Sequence, residues 1–197
     1  MIKPELLVPQ INTVGLVAYY KLWFGLTSTA MVFDYSLGGF TGTPTGTDIA
    51  PAYPGFTCNG SDDFIDVGTG PTTVNTVLMW VKLTSIGSTE HILGLQTGIY
   101  LRIGLGVYTA VGFTGGTRIL YINGIAAATA VTAETWHLVG VTDTVAKDAS
   151  DFDIGRANPG AVQHMEGVVG DVFLFSRVLT TADVISVYSV TRWRYGV

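Results

Sequence analysis

The sequence predicts an all-β protein, an antiparallel two-sheet sandwich with one short C-terminal helix. Three observations lead there. The 25 glycines, with threonine, asparagine and proline, divide the chain into short segments rich in Val, Ile, Tyr, Phe and Trp, the composition of strands between turns. Asn123-Gly124 stands inside ILYINGIAAATA and supplies both positive-φ positions of a type I′ hairpin turn. A helix start signal followed by helical spacing occurs in LTTADVISVYS, close to the C-terminus. At 197 residues the chain is one domain of ordinary size, burying about 70% of the surface its unfolded form exposes.

Taken in order, GGFTGTPTGT (38–47) reads as a Gly/Thr/Pro loop. FTCNGSDDFIDVG (56–68) follows. Asn59-Gly60-Ser61-Asp62 has strong turn chemistry, since Asn and Asp bond their own backbone and glycine takes positive φ. Phe64 then opens a strand in which Phe64 and Asp66 share one face and Ile65 and Val67 the other. VNTVLMWVKL is apolar up to Lys82 and suits a strand covered on both faces. HILGLQTGIYLRIGLG is two strands joined at Gln96-Thr97-Gly98, and the Asn123-Gly124 hairpin comes next. WHLVGVT is a strand. FDIGR sets Phe152 and Ile154 against Asp153 and Gly155, and GDVFLFSRVL is the last long strand. In the helix, Thr180 is the N-cap and Asp183 closes a capping box, favourable at a helix N-terminus. Val184, Val187 and Tyr188 then face the core.

Composition excludes several classes of function. Charged residues make up 13% and apolar ones 48%, mean hydropathy is +0.42 and net charge is −5. No stretch approaches the roughly 20 consecutive apolar residues of a membrane span, so no membrane insertion is expected. MIKPELLVPQ carries Glu5 and two prolines and has no signal-peptide pattern. Cys58 is the single cysteine, so neither an intrachain disulfide nor a thiolate metal cluster can form; between Phe56 and a turn it is expected to be a buried, inert thiol. No dense basic stripe of the kind that grips nucleic acid is present.

The order of GLVAYYKL, VFDYSLGG, FTCNGSDDFIDVG, TVLMWVKLTS, LYINGIAAAT, TWHLVGVT, FDIGR and GVVGDVFLFSRVLTTADVISVYS resembles the laminin-G-like domain of the concanavalin A-like lectin/glucanase superfamily. That family carries an F-x-G-x-D-D-Y-I-x-V block, a W-V-K strand, a Y-V-N-G hairpin, a W-H-H-V strand and a closing G-x-I-D-E-V-x-I-Y-N-R-A-L-S-x-x-E-I. The resemblance covers about residues 14–190, between an N-terminal extension (1–13) and a C-terminal tail (191–197). It implies a jelly roll whose ligands meet the concave sheet or the rim loops, with functions among glycan binding, adhesion and partner docking. This chain departs from the pattern in three places. LYING (120–124) precedes WHLVGV (136–141), Gly170 replaces the first acid of the closing D-E pair and leaves Asp171 alone, and Tyr35-Ser36-Leu37-Gly38-Gly39 replaces an S-G-N-G string.

Candidate chemistry is sparse. Asp62, Asp63 and Asp66 belong to a turn and a strand edge, with a metal site or catalysis as the lesser alternatives. A glycosidase needs two carboxyls flanking one bond, about 5–5.5 Å apart for retention and about 6.5–9.5 Å for inversion. The superfamily's E-x-D-x-E string is absent; the nearest arrangement is Asp151-Phe152-Asp153, with no obvious apolar pocket to raise either pKa. Asp148, Asp151 and Asp153 are a candidate calcium set at the rim, against a solvated loop beside Lys147; no other cofactor is expected. His91, His137 and His164 stand apart, without zinc spacing. No G-x-S-x-G elbow or phosphate loop occurs, and GFTGG (112–116) is a turn.

In the loop RANPGAVQHMEG, Arg156, Asn158, Gln163 and His164 are candidate hydrogen-bond partners for sugar hydroxyls, since loops of that length in compact domains often bind. In TRWRYGV, Arg192, Trp193, Arg194 and Tyr195 are residue types enriched at interface hot spots; they either dock a partner or pack back onto the domain. The expectation is a non-catalytic recognition or structural module. With a complete-looking reading frame that consists of almost nothing but this domain, it is expected to be a virion or phage surface protein, a capsid decoration that docks on other virion proteins or self-associates and touches glycans of a host surface. A stand-alone carbohydrate-binding lectin is the alternative, and a glycoside hydrolase a more distant one.

Overall fold

The computed structural model describes residues 11–25, 31–46, 51–157 and 164–197. Among the described residues fourteen strands and one α-helix follow one another: β1 (Leu16–Tyr20), β2 (Thr43–Thr45), β3 (Pro51–Ala52), β4 (Gly55–Asn59), β5 (Phe64–Gly68), β6 (Val74–Leu83), β7 (Thr89–Gln96), β8 (Ile99–Gly104), β9 (Val107–Val111), β10 (Arg118–Ile122), β11 (Ile125–Ala126), β12 (His137–Lys147), β13 (Phe152–Ile154), β14 (Glu166–Phe175) and α1 (Thr181–Thr191). They build an antiparallel two-sheet sandwich. The larger sheet runs β11-β10-β12-β6-β14-β4-β3, with β1 also paired to β14; the smaller runs β2-β5-β13-β7-β8-β9. One edge of β14 is shared end to end: Glu166–Val169 pair with β4, and Val172–Phe175 with β1.

Strand parity explains the layers. In β6, Val77, Met79 and Val81 enter the core between the sheets, while Leu78 and Trp80 face a second apolar layer under α1. The long apolar run of β6 is therefore covered on both faces, as its sequence predicts. Leu138 of β12, Phe173 and Phe175 of β14, and Val184 and Val187 of α1 complete that outer layer. The helix opens on the predicted capping box: Thr180 Oγ1 accepts from Asp183 N (3.2 Å), and the Asp183 carboxylate accepts from Thr180 N (3.0 Å). The β10–β11 hairpin turns on Asn123 and Gly124 at φ 53° and 82°. No described helix is long and apolar enough to cross a membrane.

Two boundaries differ from expectation. The Gly/Thr/Pro segment 38–47 contains a strand, β2, whose three residues pair with β5; a strand this short is made by its neighbour and has no periodicity of its own. The final strand begins at Glu166, four positions before Gly170, because its first residues are held by β4.

Candidate functional site

The larger sheet has its outer face covered by α1, whereas no described helix packs on the outer face of the smaller one. That face presents the side chains whose parity opposes the core residues Ile65, Leu93, Leu101, Ile103 and Ile154. Register sets one row across it: Thr43, Asp66, Asp153, Gly94, Tyr100 and Val111 are successive cross-strand partners. The next row on β7, β8 and β9 is His91, Arg102 and Thr109. Phe64 shares the face with Asp66, as strand parity requires.

Arg156 closes over this surface. Its guanidinium carbon lies 3.4 Å from the centroid of the Phe64 ring, and Nε donates to Asp153 Oδ2. Stacking on the ring and pairing with the carboxylate both suit arginine's planar fork. The backbone reaches this point through Gly155 at φ +96°, where an added Cβ would meet Cys58 Sγ at 2.9 Å. Across the loop, Arg156 and His164 form a β-bridge, and the His164 ring lies 5.9 Å from Phe64. His91 sits against Tyr100 at 4.8 Å.

Four polar atoms here are buried without a hydrogen-bond partner: Asp153 Oδ1, both ring nitrogens of His91, and His164 Nδ1. Buried polar atoms are nearly always satisfied, so these mark where further partners belong. Burial pushes the Asp153 carboxyl up to about 6; hydrogen bonding and charge from Arg156 oppose the rise, and Asp66 and Asp151 add to it. This corrects the sequence reading, which gave Asp153 no pocket that would raise its pKa. Burial followed by Arg102 lowers His91, and burial followed by Arg156 lowers His164, so both imidazoles are held toward the neutral form.

The structure thus brings Arg156 and His164 together, while Asn158 and Gln163 lie outside the described residues. It adds Phe64, His91, Tyr100 and Arg102, which sequence reasoning missed. Parity groups Tyr100 with Arg102, but only the strand order places them near Asp153. Asp148 is exposed, and Asp153 is turned to Arg156. Among the described residues no three of His, Cys, Asp and Glu are grouped so as to hold a metal ion. The turn at Asn59–Asp63 has its predicted form: Asn59 Oδ1 accepts from the backbone N–H of Ser61 (2.8 Å) and Asp62 (3.1 Å), and Asp63 Oδ2 accepts from Asn59 N (3.2 Å). Cys58 is buried, and burial drives its thiol pKa up, away from reactivity.

The C-terminal residues divide. Tyr195 is buried, stacked on Trp80 at 4.4 Å and tilted against Trp136 at 4.6 Å, and its Oη accepts from Asp171 N (2.7 Å). Arg194 pairs with the fully buried Asp171 and donates to Tyr19 Oη (3.2 Å). Burial pushes Asp171 up to about 6 against the pull of Arg194. Gly170 is required by packing: a Cβ there would lie 2.6 Å from Tyr195 Oη and 2.7 Å from Trp80 Cβ. Arg192 and Trp193 remain on the surface.

No protein-family model matches this chain, and no curated protein does. Solved structures share its β-sandwich fold. Trypanosoma rangeli sialidase, solved in complex with sialic acid, is similar at 14% identity and TM-score 0.63 over 98% of this chain and 35% of its own length. Domain 4 of AbnA, an extracellular GH43 arabinanase from Geobacillus stearothermophilus, was solved in complex with arabinotriose; it is similar at 16% identity and TM-score 0.58 over 88% of this chain and 98% of that domain. The receptor-binding domain of botulinum neurotoxin C/D mosaic serotype is similar at 16% identity and TM-score 0.50 over 89% of this chain and 51% of that one. The chain therefore spans about a third of the length of the sialidase. At these identities the likeness is one of fold.

Proposed function

We propose that this chain is a non-catalytic glycan-binding module of the laminin-G-like, concanavalin A-like type, and that the outer face of the smaller sheet is its binding surface. The observation that carries this reading is Arg156 stacked on Phe64 and paired with Asp153, beside unsatisfied polar atoms of Asp153, His91 and His164. A sugar offers an apolar ring face and many hydroxyls; this surface offers the half-buried Tyr100 ring and the Arg156 guanidinium, with donors and acceptors fixed by the strands. Complexes of the neighbours with arabinotriose and with sialic acid make those two sugars the first ligands to try. Asp66 and Asp153 are opposed carboxylates on adjacent strands, yet Asp153 is engaged by Arg156, which a general acid would have to leave, so binding is favoured over hydrolysis. Display on a virion or another extracellular surface is part of the same proposal.

A glycan array followed by calorimetric titration tests it. Arg156→Ala is expected to weaken binding of the best glycan by about tenfold or more, the scale of a hot-spot truncation, and, because it leaves the buried Asp153 carboxylate without its cation, to lower the thermal midpoint, so binding is titrated well below the variant's melting range. Undiminished binding by Arg156→Ala and by His91→Ala would move the site elsewhere, and sugar release that Asp153→Asn abolishes would make the protein a hydrolase.

A further inference from the structure

A second cluster, on the side of the larger sheet, has no part in the surface just described. Trp23 and Phe24 in the 3-10 turn Leu22–Phe24, Tyr53 in the β3–β4 turn and Trp193 in the 3-10 turn Arg192–Tyr195 converge there. Ring centroids lie 3.8 Å apart for Trp23–Phe24, 5.4 Å for Trp23–Trp193 and 6.4 Å for Trp23–Tyr53. Phe24, Tyr53 and Trp193 are 55%, 73% and 64% exposed. Single exposed aromatics are ordinary, whereas a contiguous set marks a recognition surface.

The rings are fixed. Trp23 N donates to Asp171 Oδ1 (3.3 Å), Trp193 Nε1 donates to Val190 O (2.9 Å), and the Arg194 guanidinium lies 5.2 Å from the Trp23 ring and 5.8 Å from that of Trp193 while paired with Asp171. Two N–H donors of the cluster, Trp23 Nε1 and Arg194 Nε, are buried and have no acceptor.

We infer that this cluster is a second carbohydrate site, a stacking platform for a neutral oligosaccharide. The electron-rich faces of the rings suit the polarised C–H groups on one face of a sugar ring, and its hydroxyls bring the acceptors that Trp23 and Arg194 lack. An anionic bilayer fits less well: Arg194, the cation lying over the Trp23 and Trp193 rings, is neutralised by Asp171, and the chain carries a net charge of −5. The inference stands on its own observations; if both sites bind, the module is bivalent and able to bridge glycan chains.

The test is tryptophan emission and acrylamide quenching of the full chain, titrated with cellohexaose, xylohexaose and arabinohexaose. Trp80 and Trp136 are buried at 0% and 8% exposure, so quenchable emission reports on Trp23 and Trp193. At least one hexasaccharide is expected to shield this emission, and Trp193→Ala to weaken that response about tenfold while Trp193→Phe retains most of it. Arg156→Ala leaves it unchanged, which separates this site from the smaller-sheet surface. No shielding at millimolar sugar, or shielding untouched by both Trp193→Ala and Tyr53→Ala, overturns the inference; so does shielding by phosphatidylserine vesicles in place of the sugars.

Discussion

Asp153 is the residue where burial, charge and function meet. Its side chain is 1% exposed and its neighbours include one cation, Arg156, and two anions, Asp66 and Asp151. Desolvation wins, and the carboxyl rises from 3.8 to about 6. A carboxyl raised in the folded state contributes stability that is complete below its unfolded pKa and is lost as pH climbs through the folded one. Between about pH 4 and 6 the native protein is therefore expected to lose roughly 1–3 kcal/mol relative to Asp153→Asn, which stays neutral throughout. Thermal midpoints of the two proteins across that range check this, and parallel profiles would contradict it. Asp171 is raised in the same direction, so the comparison with the single variant is needed to isolate Asp153. Above pH 6 the ionised carboxylate draws Arg156 more firmly, and glycan affinity at the Phe64 surface should change over the same interval.

At the scale of elements, α1 is short and depends on its start. Thr180 and Asp183 satisfy each other's backbone N–H groups, and the hydrogen bond from Arg177 draws the Asp183 carboxyl down to about 2. Thr180→Ala is expected to cost about 1 kcal/mol, seen as a lower urea midpoint at unchanged m-value; no shift would mean that packing on Trp80 alone holds the helix. This element and the β10–β11 hairpin were legible in the sequence because their signals are local, a capping box in one case and Asn-Gly in the other. The two-face burial of β6 was legible from its unbroken apolar run. The candidate site was legible only in part. Arg156 and His164 stood out as polar residues of one loop, but nothing local says that Phe64 lies beneath the guanidinium or that His91 and Tyr100 come alongside. Those contacts depend on the order β5-β13-β7-β8, a long-range pairing that periodicity does not encode. β2 escaped for the same reason, as did the inward turn of Tyr195, which needs the space that Gly170 leaves.

For the whole molecule, the sandwich has a third layer on one side, and the last residues are part of it. Tyr195 lies over Gly170 against Trp80 and Trp136, and Arg194 neutralises Asp171 at full burial. Removing residues 192–197 would open a cavity the size of a tyrosine ring and strand a buried carboxylate. Each change alone costs about 3–5 kcal/mol, and because the two share atoms the sum is smaller than their total. A loss of at least about 4 kcal/mol is a large fraction of the roughly 5–15 kcal/mol that holds a domain folded, so the truncated chain should melt far below the full one. Trp193→Ala is expected to change stability little, since that ring is 64% exposed, and Gly170→Ala to cost about 1–3 kcal/mol by overpacking against Tyr195. Calorimetric melting of the three variants separates the roles within the tail. If truncation were harmless and Trp193→Ala costly, the tail would be a surface appendage. The opposite pattern makes Tyr195 and Arg194 the anchor that fixes Trp193 beside Trp23, so that packing at the back of the larger sheet is what holds the aromatic platform rigid enough to bind.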